Sequence, residues 1–154
     1  PQARSTDRKY KNVTNKLREC VIANDYESLD VFLTGADGHP KLDPNDAEPT
    51  GETLLGLSAR LGFKMCARAL LMCEDYEVDR QEPDGRTALS WACEGGMMDV
   101  IDTFLHAGAD PDLEDAEGQT CLMFAVHKCH LQVVRALIEC KADVNRKRKD
   151  GFTA

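Results

Sequence analysis

Residues 84–89 read DGRTAL and residues 117–122 read EGQTCL, two stretches that share the frame G-x-T-x-L. The frame opens again at residues 150–153, which read DGFT, so its period is 33 residues. The second half of the unit repeats as well, because FLHAGADPD at 104–112 aligns with LIECKADVN at 137–145. A fixed period of this length predicts a solenoid of stacked repeats.

Together, this frame and its period resemble the ankyrin-repeat family, whose unit has the same length. The resemblance implies an all-α solenoid in which helix-turn-helix units are joined by β-hairpin-like turns. The family's T-P-L-H motif appears here as TLLG at 53–56, TALS at 87–90 and TCLM at 120–123. The Pro and the His are missing from all three, so the family's His–Thr hydrogen-bond network is not expected.

The repeat frame also sets the expected domain boundaries. Residues 1–11 are basic and polar and are interpreted as a lead-in, and residues 12–154 are interpreted as the ankyrin-repeat domain. A Pro-rich stretch at 39–50 is expected to be an inserted loop. The expected repeats cover approximately 12–50, 51–83, 84–116 and 117–149, with a partial unit at 150–154.

Turn and capping residues predict how each unit folds. Gly85 and its equivalents follow an acidic residue and suit the positive φ of a tight turn. Thr87 and Thr120 are expected to cap the first helix of their repeats by accepting a backbone N–H. Lys141 stands where Gly108 ends the second helix one repeat earlier, so a left-handed turn there would cost roughly 1 kcal/mol.

Composition narrows the possible functions. The net charge of −8 argues against general nucleic-acid binding, which needs a basic surface. No apolar run approaches the length of a membrane span, and no signal-peptide pattern is present. Because the chain begins without Met and ends inside a repeat, we expect it to be a fragment of a longer protein.

Seven cysteines occur, an odd number without paired spacing. Cys73, Cys93, Cys129 and Cys140 stand at repeat positions held elsewhere by small residues, so they are interpreted as small core fillers. The pattern favours a reducing cytoplasmic or nuclear location. Neither a metal nor a cofactor is expected.

The resemblance implies that a partner binds in a concave groove formed by hairpin tips and first helices. Two rows of residues are expected to line this groove. Trp91, the only tryptophan, is the expected apolar anchor, although it could instead fill space against its neighbours. The two rows are Glu19, Leu57, Trp91 and Phe124, and Ile22, Arg60, Glu94 and His127.

Acidic residues at the hairpin tips predict a negative rim beside the groove. This acidic rim favours a basic partner segment with an apolar anchor, whereas the alternative is a solvated surface that contacts nothing. Its predicted members are Glu82, Asp84, Glu114, Asp115 and Glu117.

Some weaker motifs remain as alternatives. Trp91, Phe124 and Glu94 could surround a methylated lysine, as in the ankyrin arrays of some histone methyltransferases. The cluster HKCH at 127–130 has metal-ligating residue types but matches repeat positions. The basic stretch RKRK at 146–149 is either a localisation or phosphate patch or an ordinary hairpin. Asn145 resembles the asparagine that an asparaginyl hydroxylase modifies in ankyrin proteins.

The sequence therefore predicts a non-catalytic module that binds a protein or peptide. It shows no nucleophile–base pairing and no phosphate loop. The exposed C-terminal repeat end is expected to be a further association surface. Two alternatives stay open: a regulatory segment that packs within a larger enzyme or channel, and a structural spacer.

Overall fold

The computed structural model describes residues 15–35, 51–73 and 76–154, and within these ranges the regular structure is helical, with no β-strand. The predicted all-α class is confirmed. The lead-in at 1–11 and the predicted loop at 39–50 lie outside the described residues. The helices are α1 (15–22), α2 (Tyr26–Thr34), α3 (Leu54–Leu61), α4 (Lys64–Leu71), α5 (Ala88–Gly95), α6 (Met98–His106), α7 (Cys121–His127) and α8 (Leu131–Glu139).

The helices form two layers. The first helices α3, α5 and α7 pack in one row, and the second helices α2, α4, α6 and α8 pack in another. Helices of one repeat also pack together, as α3 does with α4, α5 with α6 and α7 with α8. The predicted helical solenoid is confirmed. None of the helices in the described ranges is long and apolar enough to cross a membrane.

The core lies between the layers and follows the repeat period. Val100, Ile101 and Phe104 of α6 are buried, and so are Val133 and Leu137 of α8. Burying such side chains is the main source of stability in a stacked array. Ile138, near the end of α8, is 50% exposed, since no described helix packs over that side of α8.

The cysteines divide into two groups. Cys93 is fully buried, and a hydrogen bond with the Cys121 thiol, aided by burial, raises the pKa of Cys93. Cys73 is half-buried against the core. The prediction of a core filler is wrong for Cys129 and Cys140, which are exposed because they lie at the turns on either side of α8.

The turns between repeats are hairpin-like, as predicted. The Glu82 N–H donates to the Arg86 carbonyl, and the Gly85 N–H donates to the Glu82 carbonyl, each at 2.8 Å. Gly85 has a φ of +80°, and a Cβ there would lie 2.7 Å from the Ala116 nitrogen of the next hairpin. Neighbouring hairpins therefore approach too closely for a side chain at this position.

One of the two predicted caps, that of Thr87, is confirmed, and Thr53 caps α3 in the same way. The Thr53 hydroxyl accepts the Gly56 N–H at 2.9 Å, and the Thr87 hydroxyl accepts the Ser90 N–H at 3.3 Å. The predicted side-chain cap is wrong for Thr120, which occupies the N-cap position without such a bond. At the start of α7 the Thr120 carbonyl accepts the Phe124 N–H at 3.2 Å.

Lys141 keeps the left-handed turn that glycine makes elsewhere. Its φ is +65°, and the equivalent Gly108 has a φ of +88°. A side chain with a Cβ is strained in this region, whereas glycine is not. The repeat geometry therefore overrides the local preference of Lys141.

Replacing Lys141 with glycine should stabilise the domain by roughly 1 kcal/mol, since the left-handed strain is removed. Urea unfolding followed by circular dichroism measures this. Lys147→Gly is the control, because Lys147 is exposed and does not have a positive φ, so glycine should bring no gain there. An equal or lower stability of Lys141→Gly would contradict the explanation.

Candidate functional site

A groove of about 480 Å³ opens where the hairpins meet the first helices. It is lined by residues from the first three repeats and includes Trp91. Three carboxylates and two guanidinium groups contribute to its surface, together with one proline ring. The lining residues are Arg18, Glu52, Arg60, Glu82, Pro83, Asp84 and Trp91.

Trp91 is half-buried and held by polar contacts on several sides. Its indole N–H donates to Oε2 of Glu82 at 2.9 Å. The guanidinium of Arg86 lies 3.5 Å from the ring centroid, and that of Arg60 lies 4.8 Å away. These distances are those of cation–π contacts. The ring therefore has a fixed orientation before any partner arrives.

Glu82 is buried, at 8% exposure, and connects two repeats. Its Oε1 accepts the Thr53 backbone N–H at 2.9 Å and the Thr53 hydroxyl at 3.2 Å, while Oε2 accepts from Trp91. The prediction that Glu82 belongs to the acidic rim is wrong, because the carboxylate turns inward to these donors. Glu82 thus bonds Thr53, which is the threonine at the T-P-L-H position, and the histidine of that motif is absent here.

Gly56 makes room for this carboxylate. A Cβ at residue 56 would lie 2.3 Å from Oε1 of Glu82, closer than side chains approach. Gly56 lies inside α3, where glycine normally weakens a helix. In a sequence, a glycine within a helical pattern indicates such a close approach. Gly56 is a signal of this kind, although no contact was predicted for it.

Arg86 is the central residue that sequence reasoning missed. It is 9% exposed, and its guanidinium lies 3.5 Å from the Trp91 ring centroid and 4.1 Å from that of Phe124. One of its nitrogens, Nη2, is 2.7 Å from Oε2 of Glu94. Because this guanidinium takes the place between the two rings, they do not enclose a partner's methylated lysine. The aromatic-cage hypothesis is therefore wrong.

Glu94 continues the contacts into the fourth repeat, where its Oε1 is 3.4 Å from the Lys128 ammonium. Partial burial opposes ionisation of this carboxyl, but the hydrogen bond and charge of Arg86, then those of Lys128, outweigh it. The pKa of Glu94 is consequently lowered below its usual 4.5. At the other end of the groove, Glu52 pairs with both Arg18 and Arg60.

The remaining predicted groove residues are positioned unequally. Leu57 and Phe124 are buried at 7% exposure each, so most of their surface faces the protein interior. Arg60 and His127 are exposed. The groove therefore presents Trp91 and charged groups more than a continuous apolar row.

The other acidic-rim residues remain at the surface. Asp84, Glu114 and Glu117 are exposed, and Asp115 is half-buried. Oδ1 of Asp84 accepts the Arg86 backbone N–H at 3.0 Å, which stabilises the hairpin. Glu114 forms an ion pair with Arg146 at 3.2 Å. These four residues form the acidic rim.

The C-terminal motifs have structural contacts. The His130 ring nitrogen Nε2 lies 3.0 Å from the Glu94 carbonyl oxygen, and the ring packs where a Cβ on Gly96 would be 2.8 Å away. Within the described ranges, no group of His, Cys, Asp and Glu is arranged to hold a metal ion. Arg148 pairs with Asp150 at 2.8 Å. Asn145 is exposed, and its modification stays a prediction.

Comparison with known proteins agrees with this architecture. A family model described as ankyrin repeats (3 copies) matches residues 17–115 and 94–154. The chain belongs to the ankyrin-repeat family. Ankyrin repeats are generally protein-interaction modules, which suits a groove at the junction of hairpins and first helices.

Relatives of the chain are much longer proteins. It is 32% identical over 79% of its length to "Ankyrin repeat and KH domain-containing protein mask-1" of Caenorhabditis elegans, and 32% identical over 68% to human "BCL-6 corepressor-like protein 1". It is 33% identical over 71% to "Palmitoyltransferase AKR1" of Lachancea kluyveri. The alignments cover 4%, 6% and 15% of those proteins.

Substituting Glu82 with glutamine should destabilise the domain by roughly 1–3 kcal/mol, because an amide NH2 would face a buried donor. Chemical denaturation followed by Trp91 fluorescence reports both stability and the environment of the indole. Glu117→Gln is the matched control at an exposed site and should change stability by less than about 0.5 kcal/mol. Equal stabilities of the two variants would contradict the assigned role of Glu82.

Glu94→Gln should cost stability at neutral pH, and the difference from wild type should shrink in acid. The folded-state pKa of Glu94 lies below its unfolded value, so its contribution is complete above about 4.5 and is lost as the pH falls through the folded pKa. Unfolding free energies measured between neutral pH and pH 3 test this. A difference that stays constant over that range would contradict the ion-pair explanation.

Proposed function

We propose that this chain is a non-catalytic module that binds a partner protein along its concave groove. The observation that carries the proposal is the fixed Trp91 ring beside an open groove of about 480 Å³. Tryptophan held rigidly at a concave surface loses little conformational freedom on binding, so more of its contact energy contributes to affinity. A partner's apolar side chain would contact the accessible part of this ring and Pro83.

The charge of the lining favours a basic partner segment. Arg18 and Arg60 are paired with Glu52, so those guanidinium groups are already compensated. Asp84 adds negative charge at the edge of the groove, and the other three residues of the acidic rim lie on the following hairpin. A lysine or arginine of the partner placed near Asp84 and Glu117 would gain complementary charge.

A partner within the parent protein is the second candidate. The relatives are much longer than this chain, and one is named as a palmitoyltransferase, so a comparable array could regulate a neighbouring domain. Exposed apolar side chains at the C-terminal end offer a further association surface, with Ile138, Val144 and Phe152 at 50%, 46% and 70% exposure. A cytoplasmic or nuclear location is supported by seven free cysteines.

A photo-crosslinking residue in place of Asp84 should trap the partner in cell extract, since Asp84 lines the groove. Mass spectrometry of the adduct identifies the trapped segment, which should contain lysine or arginine beside an apolar residue. Raising the salt from about 0.1 M to about 0.5 M should reduce the yield, because exposed charges are screened.

The matched control places the same crosslinker at Asp102, which is exposed on α6. Trapping at position 102 and not at position 84 would overturn the concave groove as the binding surface. Trapping at position 84 that does not respond to salt would overturn the basic character of the partner. Adducts within the parent protein would establish the second candidate.

A further inference from the structure

Two methionines are exposed on the outer face of the second repeat. Met65 of α4 is 42% exposed, and Met72 at the end of α4 is 76% exposed. They are seven residues apart, about two helical turns, so they lie on one side of the helix. Ala69 lies between them on the same side and leaves a depression.

The other repeats show that these positions do not require apolar residues. Met65 is the second residue after the N-cap of its helix, and Met72 is the ninth. The second helices of the other repeats have polar residues at both positions. Neither methionine is part of the buried core. Stacking therefore does not explain them. The counterparts are Glu27, Asp99 and Gln132 for Met65, and Thr34, His106 and Glu139 for Met72.

The methionines border a groove of about 350 Å³ between α2 and α4, which we name the methionine groove. From α4 it is lined by Met65, Ala69 and Met72, with Arg68, and from α2 by the residues of one short stretch. That stretch supplies an aromatic ring and two carboxylates, those of Tyr26, Glu27 and Asp30.

We propose that the methionine groove binds a basic amphipathic helix of a partner protein. Its apolar stripe would pack against Met65, Ala69 and Met72, and its lysine or arginine side would face Glu27 and Asp30. A groove between two helices suits a third helix, whose apolar residues recur at i, i+3 or i+4 and i+7. Methionine side chains adapt to the shape of such a surface.

The charges that line the methionine groove favour a positively charged partner. The lining holds two carboxylates, both on the α2 side, against the single guanidinium of Arg68 on α4. A basic flank over α2 gains complementary charge, whereas an acidic flank would face like charge. The site is independent of the concave groove, because it is built from second helices and lies in the other layer.

Selection from a displayed library of helical peptides of about 16 residues tests the proposal. The library carries an apolar stripe and randomised flanks, and the wild-type domain is the bait. Enriched peptides should have lysine or arginine on one flank. Their affinity for Met65→Gln/Met72→Glu should fall by roughly tenfold or more, because the apolar contact is lost. That variant carries the residues of the fourth repeat, Gln132 and Glu139, at these positions, so it should fold normally.

Two matched variants make the result specific. Leu131→Gln removes another apolar side chain, 70% exposed on α8, and should leave the affinity unchanged. Glu27→Gln/Asp30→Asn should weaken binding and reduce its dependence on salt. Enrichment of acidic flanks, or peptides that bind the methionine variant as tightly as wild type, would overturn the proposal. A methionine-dependent dimer in sedimentation would also overturn it, because the occupant would be a second copy.

Discussion

One helix pair of this chain cannot bury both of its faces, so every repeat depends on contacts with its neighbours. Apolar packing supplies most of that contact, but polar links between repeats set the alignment. The carboxylate of Glu82 is a tightly constrained link, because it is buried and accepts bonds from Thr53 of one repeat and Trp91 of the next. A buried acceptor without its donors would be costly. The three groups are therefore kept in one arrangement.

This arrangement also prepares the concave surface. Trp91 is oriented by Glu82, and Arg86 separates its ring from Phe124 and joins the third repeat to the fourth. A second polar link recurs with the repeat period, because Asp79 accepts the Asp110 N–H at 3.0 Å and Asp112 accepts the Asp143 N–H at 2.9 Å. A surface held by such links changes little on binding, so less of the binding free energy is lost in ordering it.

The fold could be predicted from the sequence because the determinants of the fold are local and periodic. The G-x-T-x-L frame, the glycine turns and the apolar positions of α6 and α8 each follow from residue type and spacing. Prediction failed where the direction of a side chain depends on residues that are distant in sequence. Acidic residues at hairpin tips usually face water, which predicts a rim position for Glu82, yet Gly56 of α3, distant in sequence, leaves space for the carboxylate to turn inward. Arg86 was overlooked because a variable position in a hairpin does not reveal that two aromatic rings lie beside it.

The central claim is that the Glu82 carboxylate and the Trp91 indole form a coupled link between repeats. A double-mutant cycle of Glu82→Gln and Trp91→Phe, with unfolding free energies measured by circular dichroism, tests it most directly, because the cycle separates the pair from the cost of each change. We predict a coupling energy of roughly 1 kcal/mol or more. Additive effects of the two substitutions would contradict the link and the account of the concave surface that depends on it.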